Sequence, residues 1–104
     1  MTNYVVVKKL KDAARKDLPK AAEWQKQFDQ WLKEHGAKFE SVKHYLCVIG
    51  DEMYESWYSY HDISALDADG ELADQFADDP AWQRLNARGQ ELFERVSSRI
   101  LKQL

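Results

Sequence analysis

Residues 97–104 read SSRILKQL, and whether they prolong the helix before them or form a strand of their own decides the architecture. The serine pair interrupts the apolar stripe of the preceding segment, and Ile100 and Leu104 alternate with polar residues. Alternation of this kind belongs to a half-buried strand, so a final strand is expected here. Upstream, Asp79 followed by Pro80 is a helix start, with an acidic N-cap and proline at the first helical position. From there Trp82, Leu85, Gly89, Leu92, Phe93 and Val96 fall on one face. A mid-helix glycine costs about 1 kcal/mol relative to alanine, so Gly89 is expected where the helix backbone presses against something.

Two strands are expected before that helix, FESVKHYLCVI (39–49) and MYESWYSYHD (53–62), with Gly50 and Asp51 suiting a tight hairpin turn. The stretch from Asp62 to Phe76 reads as short helical or irregular chain. Earlier still, Trp24, Phe28, Trp31, Leu32 and His35 form one helical stripe, opened by Asp17 and Pro19 and stopped by Gly36. KDAARKD (11–17) reads as a polar loop, and YVVVKKL (4–10) as the first strand. The order is β-α-β-β-α-β. It predicts one α+β domain over 1–104, ferredoxin-like, with a four-stranded antiparallel sheet and two main helices on one face.

A chain of 104 residues buries roughly 65% of its unfolded surface and needs no disulfide or metal staple. The formal net charge of −3 argues against general nucleic-acid affinity. No apolar run approaches a membrane span, no leader is apparent, and Cys47 is the sole cysteine, so a cytoplasmic location is expected. Charge is uneven. Asp62 to Asp79 holds seven acids and no Lys or Arg, while Lys8 to Lys20 holds six bases against two acids.

The aromatic stretch YESWYSYHD (54–62) carries the functional question, because it reads equally as sheet interior or as the floor of a pocket. A two-residue turn would put Lys43, Tyr45 and Cys47 on one face with Tyr54, Ser56, Tyr58 and Tyr60. The other face would hold His44 and His61 together with Trp57 and Ser59. Neither face is plainly polar. A sheet covered by helices on one side and by a second copy of the chain on the other would satisfy both, and a homodimer is therefore expected. Buried tyrosine hydroxyls need partners, which favours a cleft lined by some of Tyr45, Tyr58 and Tyr60, taking a hydrophobic or aromatic small molecule. His44 and His61 are the candidate proton-transfer groups.

Metal signals are poor. The three histidines lack ligand spacing. ALDADGEL (65–72) fails as a calcium loop, since Ala65 and Phe76 stand where carboxylates are needed. No phosphate loop or nucleophile elbow occurs, and no cofactor is expected.

YSYHDISAL (58–66), DDPAWQRL (78–85) and SSRIL (97–101) resemble segments of the dimeric α+β-barrel superfamily, most of all its NIPSNAP-type branch. The likeness in element order spans essentially the whole chain. Relatives often place Trp-x-Tyr at the end of the third strand, where this chain has Tyr58-Ser59-Tyr60. The resemblance implies a homodimer with facing sheets and helices outside. Relatives include cofactor-independent monooxygenases, isomerases, cyclases and heme-degrading enzymes, so fold leaves function open. The heme enzymes use a histidine on a helix as iron ligand, and the last helix here has none. The resulting expectation is a small-molecule protein, either a metal-independent acid/base enzyme or a non-catalytic ligand-binding or interaction module.

Overall fold

The computed structural model describes residues 1–50 and 53–104. Among the described residues nine elements follow in order: β1 (Thr2–Leu10), α1 (Asp12–Lys16), α2 (Leu18–Glu34), β2 (Ser41–Leu46), β3 (Met53–Tyr60), α3 (Ile63–Gly70), α4 (Leu72–Gln75), α5 (Pro80–Leu92) and β4 (Phe93–Lys102). The four strands form one antiparallel sheet in the order β2-β3-β1-β4. This is the expected ferredoxin-like arrangement.

Local chemistry sets the helix boundaries as the sequence implies. Asp17 accepts from the Lys20 N–H at 3.1 Å and Asp79 from the Ala81 N–H at 2.8 Å, each capping a helix that opens with proline. Gly36 follows α2 at φ 98°, a left-handed conformation that favours glycine. Gly89 sits where α5 crosses α2, and a β-carbon there would collide with the Trp24 ring. Trp24 is fixed in that crossing by its indole N–H, which donates to the Leu85 carbonyl at 2.9 Å.

Three expectations need correction. The segment read as a polar loop contains α1, because Ala14 is fully buried against Leu10, Leu92 and Trp24 and anchors a helical turn. The last strand begins at Phe93, so Phe93 and Val96 belong to β4 and not to the helix. The chain passes directly from Leu92 into extended backbone (Phe93 φ −133°, ψ 148°), and the Lys11 N–H donates to the Leu92 carbonyl at the junction.

The third correction concerns the hairpin. Leu46 lies opposite Tyr54, and His44 opposite Ser56. Pairing ends where the Cys47 N–H donates to the Met53 carbonyl at 2.9 Å, so the connection is longer than two residues; Asp51, half of the expected turn, lies outside the described residues. A shift of one residue exchanges the faces. Val42, His44 and Leu46 therefore share a face with Tyr54, Ser56, Tyr58 and Tyr60, while Lys43 and Tyr45 lie with Glu55, Trp57 and Ser59.

One sheet face packs on the helices. Val6, Phe39, Tyr58, Tyr60, Leu66 and Leu72 form one apolar cluster, and Leu10, Ala14, Ala21, Trp24, Leu92 and Phe93 form a second. The other face carries Val5, Val7, Tyr45, Trp57 and Leu101 with Asn3, Glu55 and Arg99.

Candidate functional site

Alternation along β1 sends Tyr4, Val6, Lys8 and Leu10 to the helix face. On β4 the register shifts at Val7/Lys8, so that Ser97 pairs with Val7 but Arg95 with Lys8, leaving Val96 as the extra residue of a bulge. The bulge puts Arg95 on the helix face beside Lys8. Helices α2 and α5 and the α3–α4 segment stand off from this part of the sheet and leave a cavity of about 630 Å³. Its walls are aromatic and apolar, with Trp24, Phe28, Phe39, Trp82 and Phe93 among the lining residues. Tyr58 and Tyr60 line it, and so do Tyr4, Lys8 and Arg95.

Behind the Tyr58 wall lies a hydrogen-bonded chain that the sequence reading did not anticipate. Asp29 and Gln25, one turn apart on α2, are both buried. The Tyr58 hydroxyl donates to Asp29 Oδ1 at 2.8 Å, and Gln25 Nε2 donates to the same oxygen at 3.1 Å. His44 Nε2 donates to Asp29 Oδ2 at 2.6 Å, while His44 Nδ1 lies 2.8 Å from the buried Ser56 Oγ. Lys8 Nζ donates to Gln25 Oε1 at 3.0 Å. Asp29 thus collects three donors from one helix and two strands. Burial raises the Tyr58 phenol well above its ordinary range, and the Asp29 charge and hydrogen bond add to the effect. Burial likewise raises Tyr60, whose hydroxyl donates to Asp69 Oδ2 at 2.8 Å. Both phenols stay protonated and give their protons to carboxylates.

Lys8 is enclosed by rings. Its Nζ lies 4.9 Å from the Phe93 centroid and 5.3 Å from that of Trp24. Burial lowers its pKa to about 8, against the opposing pull of Asp29, and the Arg95 charge lowers it further.

The remaining candidates separate. Tyr45 is on the far face of the sheet, 52% exposed and edge-on to Trp57, so it does not join Tyr58 and Tyr60. His61 lies past the end of β3 on the surface and does not meet His44. His44 touches the cavity wall through Asp29 and Tyr58 and is not itself a lining residue. His35 stacks on Trp31 at 3.7 Å and its Nδ1 lies 2.7 Å from the Trp31 carbonyl, a helix-end arrangement. Among the described residues, no group of three or more His, Cys, Asp or Glu is arranged to hold a metal ion. Also among them, no helix is long and apolar enough to cross a membrane.

Lys8 and Gln25 each had a signal in the sequence. Lys8 shares the period-two face of Tyr4, Val6 and Leu10, and Gln25 falls within about 20° of Leu32 on a 3.6-residue helical wheel. Polar residues on an apolar face mark a buried network when partners exist, but the partners here come from strands far away in sequence.

Comparison with known proteins gives no match to a family model and none to curated proteins. Solved structures do match. A NIPSNAP domain protein from Burkholderia xenovorans superposes with a TM-score of 0.69 at 17% identity, covering 100% of this chain and 95% of that one. A NIPSNAP family protein from Agrobacterium tumefaciens gives 0.69 at 17% identity over 99% of this chain and 87% of its own. HapK from Hahella chejuensis gives 0.67 at 18% identity over 100% and 93%. At these identities the likeness is one of fold. The chain has the ferredoxin-like α+β fold of the NIPSNAP-type proteins it is similar to.

Proposed function

We propose that this protein binds a hydrophobic, aromatic small molecule in the cleft between sheet and helices, and that acid/base chemistry there runs through Tyr58. The observation that carries the reading is the continuity from the cavity wall at Tyr58 to Asp29 and His44, with bonds of 2.8 and 2.6 Å. A cavity with apolar walls and a few fixed polar groups is the usual make-up of a small-molecule site. The raised Tyr58 pKa opposes a standing phenolate. The chain avoids that obstacle: the phenol oxygen takes a proton from an acidic C–H or O–H of the ligand while the phenol proton passes to Asp29 Oδ1. The ligand keeps the electron pair as an enolate or phenolate, and His44 holds Asp29 in place. His44 acts here from behind the wall, and His61 and Tyr45 take no part.

A second reading, a non-catalytic binding module, is favoured by the satisfied state of the network. No buried side-chain nitrogen or oxygen among the described residues lacks a partner, and such networks also serve as rigid walls. Deuterium uptake at the acidic methylene of 2-tetralone, followed by NMR in D₂O, separates the two. Exchange above the buffer rate that falls in Tyr58→Phe supports the acid/base role. Binding of 2-tetralone with exchange at the buffer rate supports the module.

The same reading includes a homodimer. The open sheet face presents Val7, Tyr45, Trp57 and Leu101, and no helix among the described residues packs on it. Glu55 and Arg99 lie on that face 3.8 Å apart, a pair of opposite charges that a two-fold-related copy can match. The free Cys47 suits a cytoplasmic setting.

A further inference from the structure

We propose that Lys8 and Arg95, with Tyr4, form an anion-accepting end of the cavity, so that its ligand is an apolar molecule carrying a carboxylate, sulfonate or comparable anionic head. This rests on the cavity being a ligand site and says which class of ligand it takes. The polar groups on its walls divide by what they have left to offer. Tyr58 and Tyr60 spend their protons on Asp29 and Asp69. Asp69 also accepts from the Lys38 N–H at 2.7 Å. These groups present filled acceptors to a ligand.

Lys8, Arg95 and Tyr4 keep donors to offer, on a lining that also carries the amides of Asn86 and Gln90 and the exposed carboxylate of Asp67. Among the described residues Lys8 Nζ makes one hydrogen bond, to Gln25, and an ammonium has three to give. Arg95 donates to the Tyr4 hydroxyl, whose own proton is then free to point at a ligand. Neither cation forms an ion pair among the described residues. The nearby carboxylate, Asp29, already holds Tyr58, Gln25 and His44.

The β4 bulge makes this arrangement. Without the bulge, Val96 would pair with Lys8 and Arg95 would fall on the opposite face. With it, two cations become cross-strand partners on the lining of an aromatic-walled cavity. Like charges directly opposite one another are unfavourable in a sheet, and a bound anion removes that repulsion. The surrounding rings fit the apolar body, and the paired cations fit the head.

Two fluorescent probes with the same ring system test the proposal: 8-anilinonaphthalene-1-sulfonate and its uncharged counterpart N-phenyl-1-naphthylamine. Wild-type protein is expected to bind the sulfonate at least about ten-fold more tightly, in line with charge-assisted bonds. Arg95→Met and Lys8→Met should each weaken the sulfonate by about ten-fold and change the neutral amine by less than about two-fold. Arg95 is exposed, so its variant reports even where Lys8→Met folds poorly. Equal affinity for both probes, or parallel losses in Arg95→Met, overturns the anionic end while leaving the cavity reading intact. Failure of wild type to bind either probe removes both.

Discussion

Asp29 Oδ1 and the Tyr58 hydroxyl lie 2.8 Å apart across the interface between α2 and the sheet. That bond joins the candidate chemistry of the cavity to the stability of the fold. Removing Asp29 leaves Tyr58, Gln25 and His44 without their acceptor, and buried donors left unpaired cost about 1–3 kcal/mol. Asp29→Ala is expected to lose about 2–3 kcal/mol in urea unfolding. Tyr58→Phe, which removes one donor and leaves Asp29 two others, should lose about 1 kcal/mol. The double variant should lose less than the sum; strict additivity means the two groups do not interact.

Gly89 against Trp24 gives a prediction that propensity alone has backwards. Alanine is the better helix former by about 1 kcal/mol, yet its methyl group would overlap the indole. Gly89→Ala is expected to lower stability by about 1–3 kcal/mol, the usual cost of overpacking. The loss should shrink when Trp24 is also replaced by leucine. A stabilised Gly89→Ala protein would show that α5 does not press on the ring.

The lowered pKa of Lys8 makes stability depend on pH with a definite sign. Its folded value of about 8 lies below the ordinary lysine value of 10.5. The unfolded chain therefore holds more protons in that window, and the contribution of Lys8 is full above 10.5 and lost as pH falls to about 8. Tyr54, Tyr58 and Tyr60 are raised by burial and weaken the fold only above about pH 10. The groups bearing on Lys8 are Asp29 from α2, Tyr54 from β3 and Arg95 from β4. Unfolding free energy should rise by about 1–2 kcal/mol from pH 8 to pH 10. Lys8→Met should flatten the rise, and the same slope in both proteins contradicts the assignment.

The open sheet face predicts the oligomeric state. Sedimentation should give twice the 12.2 kDa chain mass. Arg99→Glu should produce folded monomer, and adding Glu55→Arg should restore part of the dimer by returning opposite charges to the face. A monomeric wild type at micromolar concentration removes the dimer from the account.

Much of the fold was legible because its signals are local. The Asp17–Pro19 and Asp79–Pro80 caps, the Trp24 stripe and the Ile100 alternation each lie within a few residues. The hairpin faces were not legible, because a single residue in the 46–54 connection decides which face His44 and Tyr45 occupy. A charged stretch such as KDAARKD conceals a helix when one buried alanine anchors it. The site followed the same division. Tyr58 and Tyr60, which line the cavity, stand out by composition. Asp29 and Arg95 acquired meaning only when α2 met the sheet and a bulge turned β4 over.

Uptake of a ligand by the cavity is tested most directly at Ala73. It lines the cavity and is exposed, so a large side chain there fills the space without entering the core. N-phenyl-1-naphthylamine should bind wild-type protein with a blue-shifted, enhanced emission. Ala73→Trp should keep the circular dichroism and unfolding midpoint of wild type and lose at least about ten-fold in probe affinity, near 1.4 kcal/mol. Equal affinity in a folded Ala73→Trp protein would contradict the claim, because the probe would then be bound somewhere other than between the sheet and the helices.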